Sequence, residues 1–259
     1  MRRLLTLAAL LTLTGTAAAD VKKTPVDYQF DGVTLKGELY FDDALPGKLP
    51  GVLVVHEWWG LNDYARGRAT ELAKLGYAAF ACDMYGDGKV TEHPSDATKM
   101  SGDVRKNIAV WQGRAKAALA AMAKQEKVDA TKMAAVGYCF GGSTALQLAS
   151  TGADLKAVAT FHAALPAFTP EQAKAITAKV LVTHGADDKF ISPESIEKFK
   201  AALAAAKVPL DFRDYAGAVH SFTVPDAGRH NNPGMVYNEK ADKESWAAMK
   251  ELFKATLGK

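Results

Sequence analysis

A cysteine stands between glycines at residues 137–141, where the chain reads G-Y-C-F-G. The stretch follows a short apolar run and precedes a helical pattern, and it matches G-x-S-x-G with cysteine in the place of serine. In that pattern a strained strand-to-helix turn presents the nucleophile, and small flanking residues let strand and helix approach closely. The amide end of the following helix also stabilises a thiolate. Cys139 is therefore a candidate nucleophile, although a buried cysteine in a glycine-containing turn would show the same local sequence.

An aspartate and a histidine that could complete a catalytic triad follow Cys139 along the chain. Asp187 and Asp188 come after a later apolar run, and His220 comes after the last one. A G-x-S-x-G nucleophile requires an acid and then a histidine in this order, each at the end of a strand. His220 would exchange a proton with the thiol, and the aspartate would hold its imidazole in the required tautomer. The residues leave open which aspartate acts, since the other would cap a turn, and whether His220 is only an exposed loop residue.

The other cysteine and the other strand-end histidines favour structural roles. Cys82 ends an apolar run, as a buried strand residue does, and neither cysteine belongs to a C-x-x-C motif. A disulfide between Cys82 and Cys139 stays open on sequence alone. His56, His162 and His184 are individually more typical of pocket walls or hydrogen-bonded core positions. A metal site at His56 and His162 is a weaker alternative because H-E-W-W-G fits no zinc motif, so we expect no metal.

Hydrophobic patterning indicates the elements that position these residues. Residues 26–41 alternate as a two-stranded hairpin that turns at Asp31-Gly32. Continuous apolar runs then predict strands at residues 51–56, 77–82, 133–138, 157–161, 180–183 and 209–215. Helical patterns lie at residues 64–75, 103–124, 142–150, 193–206 and 238–257. Unbroken apolar strands are typical of a parallel sheet covered on both faces. The predicted fold class is α/β, a mostly parallel doubly wound sheet with an N-terminal antiparallel hairpin.

The residues with chemical potential concentrate in the loops after these strands. Four of the six histidines and both cysteines fall in or beside them. Ligands of open α/β sheets bind at the carboxyl ends of the strands, so we expect one site at this edge of the sheet.

The N-terminal residues have the pattern of a secretory signal peptide. Arg2 and Arg3 precede an apolar run at residues 4–13, and three alanines stand before Asp20. The run is much shorter than the ~20 residues that span a bilayer, so cleavage after Ala19 is favoured over a membrane anchor. We expect a signal peptide at residues 1–19, a single domain at residues 20–259, and a periplasmic or secreted mature protein without a membrane span.

Composition limits the classes of partner. A chain of 259 residues with 48% hydrophobic residues can bury a large core. Cleavage would remove Arg2 and Arg3 and no acidic residue, which lowers the formal net charge from +3 to +1. A nearly neutral surface gives no basis for nucleic-acid binding, and the sequence does not indicate an oligomeric state.

Four motifs together resemble the dienelactone hydrolase family (carboxymethylenebutenolidase-like) of the α/β-hydrolase superfamily. They read H-E-W-W-G-L-N at residues 56–62, G-Y-C-F-G-G at 137–142, G-A-D-D-K-F-I-S-P at 185–193 and V-H-S-F at 219–222. The resemblance implies an α/β-hydrolase fold with Cys139 as nucleophile and His220 as base. It also implies Asp188 as the acid, because the family acid directly precedes x-F-[VI].

The resemblance implies further roles around the nucleophile. Glu57 resembles the family glutamate that contacts the nucleophile in the resting enzyme and can take its proton, although a rim carboxylate would also fit this position. The oxyanion hole would consist of the backbone amides of Phe140 and Trp58.

The chain departs from dienelactone hydrolase proper where that enzyme binds a substrate carboxylate. The family enzyme carries one arginine shortly after D-x-Y and another four residues beyond the catalytic histidine. Here Gly86 and Asp87 follow D-M-Y, and Val224 stands at the second position. We therefore expect a different substrate. The cations in nearby loops are Arg229, His230 and Lys89.

Aromatic residues in the strand-end loops predict a pocket for a neutral or weakly polar ester. The residues assigned to the substrate pocket are Trp59, Tyr85, His162 and Phe222. Tyr85 and Trp58 would equally fit the core.

The predicted function is hydrolysis of carboxylic esters or lactones by an exported cysteine-dependent enzyme, through a thioester and without a cofactor. The expected partner is a small-molecule ester or lactone. The alternative is a hydrolase-like binding or scaffold protein without turnover. A cysteine peptidase is less well supported, since nothing in the sequence marks a peptide-binding groove.

Overall fold

The computed structural model describes residues 20–259 of the chain. The predicted signal peptide at residues 1–19 lies outside the described residues. The strands are β1 (Val21–Phe30), β2 (Val33–Asp42), β3 (Leu49–Val55), β4 (Ala78–Cys82), β5 (Val128–Tyr138), β6 (Ala157–Phe161), β7 (Lys179–Gly185) and β8 (Leu210–Tyr215). The α-helices are α1 (Asp63–Lys74), α2 (Pro94–Arg105), α3 (Ile108–Ala123), α4 (Phe140–Ala149), α5 (Pro170–Lys174), α6 (Pro193–Ala205) and α7 (Glu239–Leu257), and a short 3-10 helix covers Ala227–His230. Within this part of the chain, no helix is long and apolar enough to cross a membrane.

The strands form one sheet in the order β1-β2-β4-β3-β5-β6-β7-β8. β1 and β2 pair antiparallel with each other, β2 pairs antiparallel with β4, and the remaining neighbours are parallel. The hairpin turns at Asp31 and Gly32, whose φ angles of 50° and 72° suit a two-residue turn. The predicted class, a mostly parallel α/β sheet with an N-terminal antiparallel hairpin, is confirmed.

Apolar layers cover both faces of the sheet. On one face, Leu72 of α1 and Phe253 of α7 lie in one buried cluster with strand residues. On the other face, Met122 of α3 and Phe199 of α6 belong to a second cluster. Every residue of β3 is buried, which explains why its sequence is an unbroken apolar run.

Two helix predictions differ from the structure. The single helix expected over residues 103–124 is two helices, α2 and α3, with a break at Asn107. The Asn107 side chain accepts hydrogen bonds from two backbone amides of α3, at 3.1 and 3.3 Å, and so starts a new helix. Helix α5 was not predicted, and it begins with a capping box formed by Thr169 and Gln172.

The turn between β5 and α4 has no space for side chains on either side of the cysteine. A Cβ atom added to Gly137 would lie 2.1 Å from the carbonyl oxygen of Gly141, and one added to Gly141 would lie 2.2 Å from that of Val55. Cys139 has a φ of 51°, which non-glycine residues rarely adopt. Its amide donates to the carbonyl oxygen of Phe161 at 2.9 Å, so the turn is anchored to β6.

Because backbone atoms fill the space beside Gly141, we expect Gly141→Ala to destabilise the fold. The free energy of unfolding should fall by about 1–3 kcal/mol or more, the range for overpacking a core. Urea denaturation followed by circular dichroism measures the change. Gly102→Ala in α2 is the control, since an added Cβ there meets nothing within 4 Å and should stabilise that helix by about 0.5–1 kcal/mol. Equal stabilities for Gly141→Ala and wild type would contradict this packing.

Candidate active site

Three loops at the carboxyl edge of the sheet bring together a thiol, an imidazole and a carboxylate. Cys139 follows β5, Asp188 follows β7 and His220 follows β8. Nε2 of His220 lies 3.2 Å from Sγ of Cys139, and Nδ1 lies 2.8 Å from Oδ2 of Asp188. The histidine therefore contacts a candidate nucleophile on one side and a candidate acid on the other, the arrangement that acyl transfer requires.

The charge on His220 is set by these two neighbours. Burial alone lowers the pKa of the imidazole, but the Cys139 sulfur and the Asp188 carboxylate outweigh it and hold the pKa well above its ordinary value. A protonated imidazole beside the sulfur stabilises a thiolate, which is the nucleophilic form of cysteine.

The structure distinguishes the two candidate aspartates. Asp188 is 5% exposed and contacts His220, whereas Asp187 is exposed. The turn bond expected of the other aspartate is made by Asp188 itself, since its Oδ1 accepts from the amide of Phe190 at 2.9 Å. One carboxylate thus both closes the turn and orients the imidazole.

Glu57 lies beside this group but does not contact the sulfur by a hydrogen bond among the described residues. Its carboxylate is 2% exposed, accepts from Oγ of Ser221 at 3.4 Å, and has Oε1 4.0 Å from Nδ1 of His162. Burial raises the pKa of Glu57 to about 7, while the positive charge of His220 and the Ser221 hydroxyl oppose the rise. The contacts that the carboxylate makes are with Ser221 and His162.

The two amides proposed for the oxyanion hole have no acceptor among residues 20–259. Phe140 is the first residue of α4, and Trp58 lies in the loop after β3. Tyr85 donates its hydroxyl proton to the carbonyl oxygen of Trp58 at 2.9 Å, which holds that loop in place. His56 also stiffens the loop, because its Nε2 accepts from the amide of Met84 at 3.2 Å.

A cleft of about 860 Å³ opens beside Glu57 and Ser221. Of the four residues predicted to line a substrate pocket, Trp59 lines this cleft and stacks on His230 with ring centroids 4.3 Å apart. The other three are buried and do not line it. Tyr85 packs on the loops, while His162 and Phe222 have no exposed surface and pack with their rings 5.4 Å apart.

The cations of the cleft are paired with acids. Arg229 lies 2.9 Å from Asp226 and 3.6 Å from Glu92. Arg66, which also lines the cleft, lies 3.0 Å from Glu38. His230 lines the cleft as well, but Lys89 does not.

Two alternatives left open by the sequence are a metal site and a disulfide between Cys82 and Cys139. Among the described residues, no three His, Cys, Asp or Glu side chains are grouped so that they could hold a metal ion. Cys82 and Cys139 are both free, and Cys82 is fully buried.

Two sets of polar residues near the site were missed by the sequence analysis. Ser221 has a φ of 55° and donates to Glu57, and its position directly after His220 in the V-H-S-F motif was an available signal. Thr223, Tyr64 and Arg68 form partly buried hydrogen bonds next to the site. The distance is 2.6 Å between Thr223 and Tyr64 and 3.3 Å between Tyr64 and Arg68. No sequence pattern links these three residues.

The raised pKa of Glu57 predicts a pH-dependent effect of Glu57→Gln on stability. Between the ordinary value of 4.5 and about 7, the unfolded chain releases this proton and the folded chain keeps it. Wild type therefore loses stability with rising pH in this window, whereas the amide does not. From pH 4 to pH 8 the stability of Glu57→Gln relative to wild type should rise by on the order of 3 kcal/mol.

Urea denaturation at a series of pH values measures this difference. Glu126→Gln, at an exposed position, is the control and should follow wild type. A pH-independent difference between Glu57→Gln and wild type would show that the Glu57 carboxyl has an ordinary pKa.

Known proteins that are similar to this chain indicate its family. The dienelactone hydrolase family matches residues 36–257. A Salmonella typhimurium protein provisionally named carboxymethylenebutenolidase is 30% identical over 228 residues, which are 83% of this chain and 81% of that protein.

Two solved structures share the whole fold. The crystal structure of a dienelactone hydrolase-like promiscuous phosphotriesterase from metagenomic libraries is 41% identical, with a TM-score of 0.89 over 91% of this chain and 98% of its own. The structure named m3DLH is 40% identical, with a TM-score of 0.89 over 92% and 99% of the two chains. The family match and these likenesses together show that the chain belongs to the dienelactone hydrolase family, a family of hydrolases with the α/β-hydrolase fold.

Proposed function

We propose that this protein hydrolyses carboxylic esters or lactones through a thioester formed on Cys139. The observation that carries the proposal is the hydrogen-bonded series from Cys139 through His220 to Asp188, with contacts of 3.2 and 2.8 Å. A binding or scaffold protein has no use for a thiol held against a protonated, carboxylate-oriented imidazole.

In the first half of the reaction, the Cys139 thiolate attacks the substrate carbonyl carbon. The amides of Phe140 and Trp58 donate to the oxyanion that forms. When the tetrahedral intermediate collapses, the carbon–oxygen bond of the ester breaks and His220 gives its proton to the departing alkoxide. In a lactone that alkoxide stays attached to the acyl group.

In the second half, water cleaves the thioester. Neutral His220 takes a proton from water as the oxygen attacks the thioester carbonyl, and the thiolate leaves with the imidazolium restored beside it. Asp188 keeps the proton of His220 on Nδ1 throughout, so that Nε2 faces the sulfur.

Glu57 would supply the base that takes the thiol proton before the first attack, and it would return this proton to the sulfur after water has cleaved the thioester. Only the ionised carboxylate can accept it, and burial raises the pKa of Glu57 to about 7. The value of kcat/KM should therefore decline below this pH.

The cleft beside Glu57, whose lining residues do not include Cys139 or His220, suits a neutral or weakly polar substrate. Arg66 and Arg229 are already paired with acids, so an anionic substrate would have to break these ion pairs. Trp59 supplies an aromatic surface in the same cleft.

Phosphotriester hydrolysis is a second candidate, favoured by the 41% identity to the promiscuous phosphotriesterase. The same thiolate would attack phosphorus and expel an aryloxide, and water would then cleave the thiophosphate ester. A neutral aryl phosphotriester is therefore tested as a substrate together with the esters and lactones.

Removing the nucleophile should abolish turnover. For Cys139→Ala we expect kcat/KM to fall by at least about 1,000-fold on short-chain aryl esters, lactones or the phosphotriester. Steady-state kinetics on this panel measures the loss. Cys82→Ala is the matched control and should keep wild-type activity, since Cys82 is buried in β4. Equally slow hydrolysis by wild type and Cys139→Ala would favour the scaffold alternative.

We also propose export, from the N-terminal pattern of residues 1–19. When the full chain is expressed in a Gram-negative host, mass spectrometry of the periplasmic fraction should find a protein that begins at Asp20. A cytoplasmic protein that retains residues 1–19 would contradict export.

A further inference from the structure

His162 is a buried histidine that the proposed reaction does not use. It follows β6, has no exposed surface, and has a φ of 41°. Its ring lies 5.1 Å from that of His220 between centroids, in an edge-on arrangement. Nδ1 of this ring has no hydrogen-bond partner among the described residues. A fully buried nitrogen beside the catalytic histidine calls for an explanation, because unpaired buried polar atoms are unfavourable.

The other ring nitrogen belongs to a chain of hydrogen bonds that is buried at His162 and Thr223 and partly buried at Tyr64. Nε2 lies 2.9 Å from Oγ1 of Thr223, which lies 2.6 Å from the hydroxyl of Tyr64. That hydroxyl lies 3.3 Å from Nε of Arg68. We call these four residues the Arg68 chain.

Each hydrogen bond of the Arg68 chain is donated in the direction from Arg68 to His162. Arg68 can only donate, so the Tyr64 oxygen accepts from it. The Tyr64 proton then goes to Thr223, and the Thr223 proton goes to Nε2 of His162. With any other assignment, the hydroxyl proton of Tyr64 or that of Thr223 would lack an acceptor among residues 20–259. A neutral imidazole that accepts at Nε2 carries its own proton on Nδ1.

Nδ1 of His162 faces Glu57, with 4.0 Å between this nitrogen and Oε1. A movement of about 1 Å by the glutamate side chain would bring the two atoms to hydrogen-bond distance. We propose that His162 is a positioning residue whose Nδ1–H receives the Glu57 carboxylate when that side chain lies away from Cys139. This inference rests on the proposed function, in which Glu57 accepts the thiol proton.

The surrounding charges are consistent with a neutral His162. Burial lowers the pKa of His162 well below its ordinary value, and the positive charges of His220 and Arg68 lower it further. Other groups also face Glu57 from the elements packed around it. They are His220 and Ser221 after β8, Asp226 and Arg229 at the 3-10 helix, and Tyr64 on α1.

A hydrogen bond from Nδ1–H of His162 to Glu57 has two consequences for the reaction. It gives the carboxylate of Glu57 a hydrogen-bonded position outside the Cys139–His220 contact, so the sulfur is free for substrate. It also favours the ionised form of Glu57, since a donor stabilises the charged carboxylate. Without it, Glu57 would ionise only at a higher pH.

The tautomer is tested directly by nitrogen-15 NMR of the labelled mature protein, with the His162 signals assigned by their loss in His162→Asn. We expect a protonated Nδ1 and an unprotonated Nε2 from pH 5 to pH 9. In Thr223→Val, which removes the hydroxyl but keeps the shape, the preference should be lost, and Thr223→Ser should restore it. A protonated Nε2 in wild type would overturn the inference.

The effect on Glu57 is tested by the pH dependence of kcat/KM. His162→Phe should move the acid limb upward by about one pH unit, as expected for losing one hydrogen bond to a charged group. Thr223→Val removes only the tautomer preference of His162, so it should move the limb in the same direction by a smaller amount. His162→Asn retains an amide donor and tolerates the positive φ, so its shift should be smaller. In a Glu57→Gln background, neither His162→Phe nor Thr223→Val should add a shift.

Two outcomes separate this inference from the rest of the proposed function. Changes of equal size in the Glu57→Gln background would mean that His162 supports the fold and does not act on Glu57. If His162→Phe fails to fold, the pH profile of Thr223→Val tests the inference, because Thr223 is one hydrogen bond farther from Glu57 than His162 is. The NMR result needs no turnover, so it stands or falls independently of whether Cys139 is the nucleophile.

Discussion

The tight turn between β5 and α4 is the constraint on which the rest of the site depends. Gly137 and Gly141 are in contact with backbone atoms, and Cys139 between them has a positive φ. Such a strained conformation persists only when its surroundings over-determine it. Here they do, because the turn lies in the centre of the sheet with β3 and β6 on either side. The position of the sulfur is therefore fixed by the backbone packing at the centre of the sheet.

Buried polar groups from neighbouring loops then assemble around that sulfur. Glu57, His162, Asp188 and His220 are all nearly inaccessible to water. Burying titratable groups is unfavourable unless they find partners, and here most partners come from a different loop. The hydrogen bonds that set protonation states thus also tie together the loops after β3, β6, β7 and β8. Function and local stability depend on the same contacts.

Much of the fold could be predicted from the sequence because the signals were local, while the approach of Cys139, Asp188 and His220 was predicted from their order after successive strands. Strand positions followed from unbroken apolar runs, and the nucleophile turn from its glycines. The direction of loop side chains could not be predicted in the same way. His162 was expected in the pocket, but its side chain is fully buried, at a residue with a φ of 41°. Phe222 was expected there too, yet it packs against Tyr215 at a ring separation of 5.8 Å. The Arg68 chain joins residues that are far apart along the sequence, and only the folded structure shows it.

The central claim is that the acyl group of the substrate becomes bonded to Cys139. The most direct measurement is mass spectrometry of protein quenched with acid during turnover of a slowly hydrolysed aryl ester, followed by proteolysis. In wild type we expect a peptide that contains Cys139 and carries the mass of the acyl group. An acyl group on another residue, or turnover by Cys139→Ala at the wild-type rate, would contradict the account.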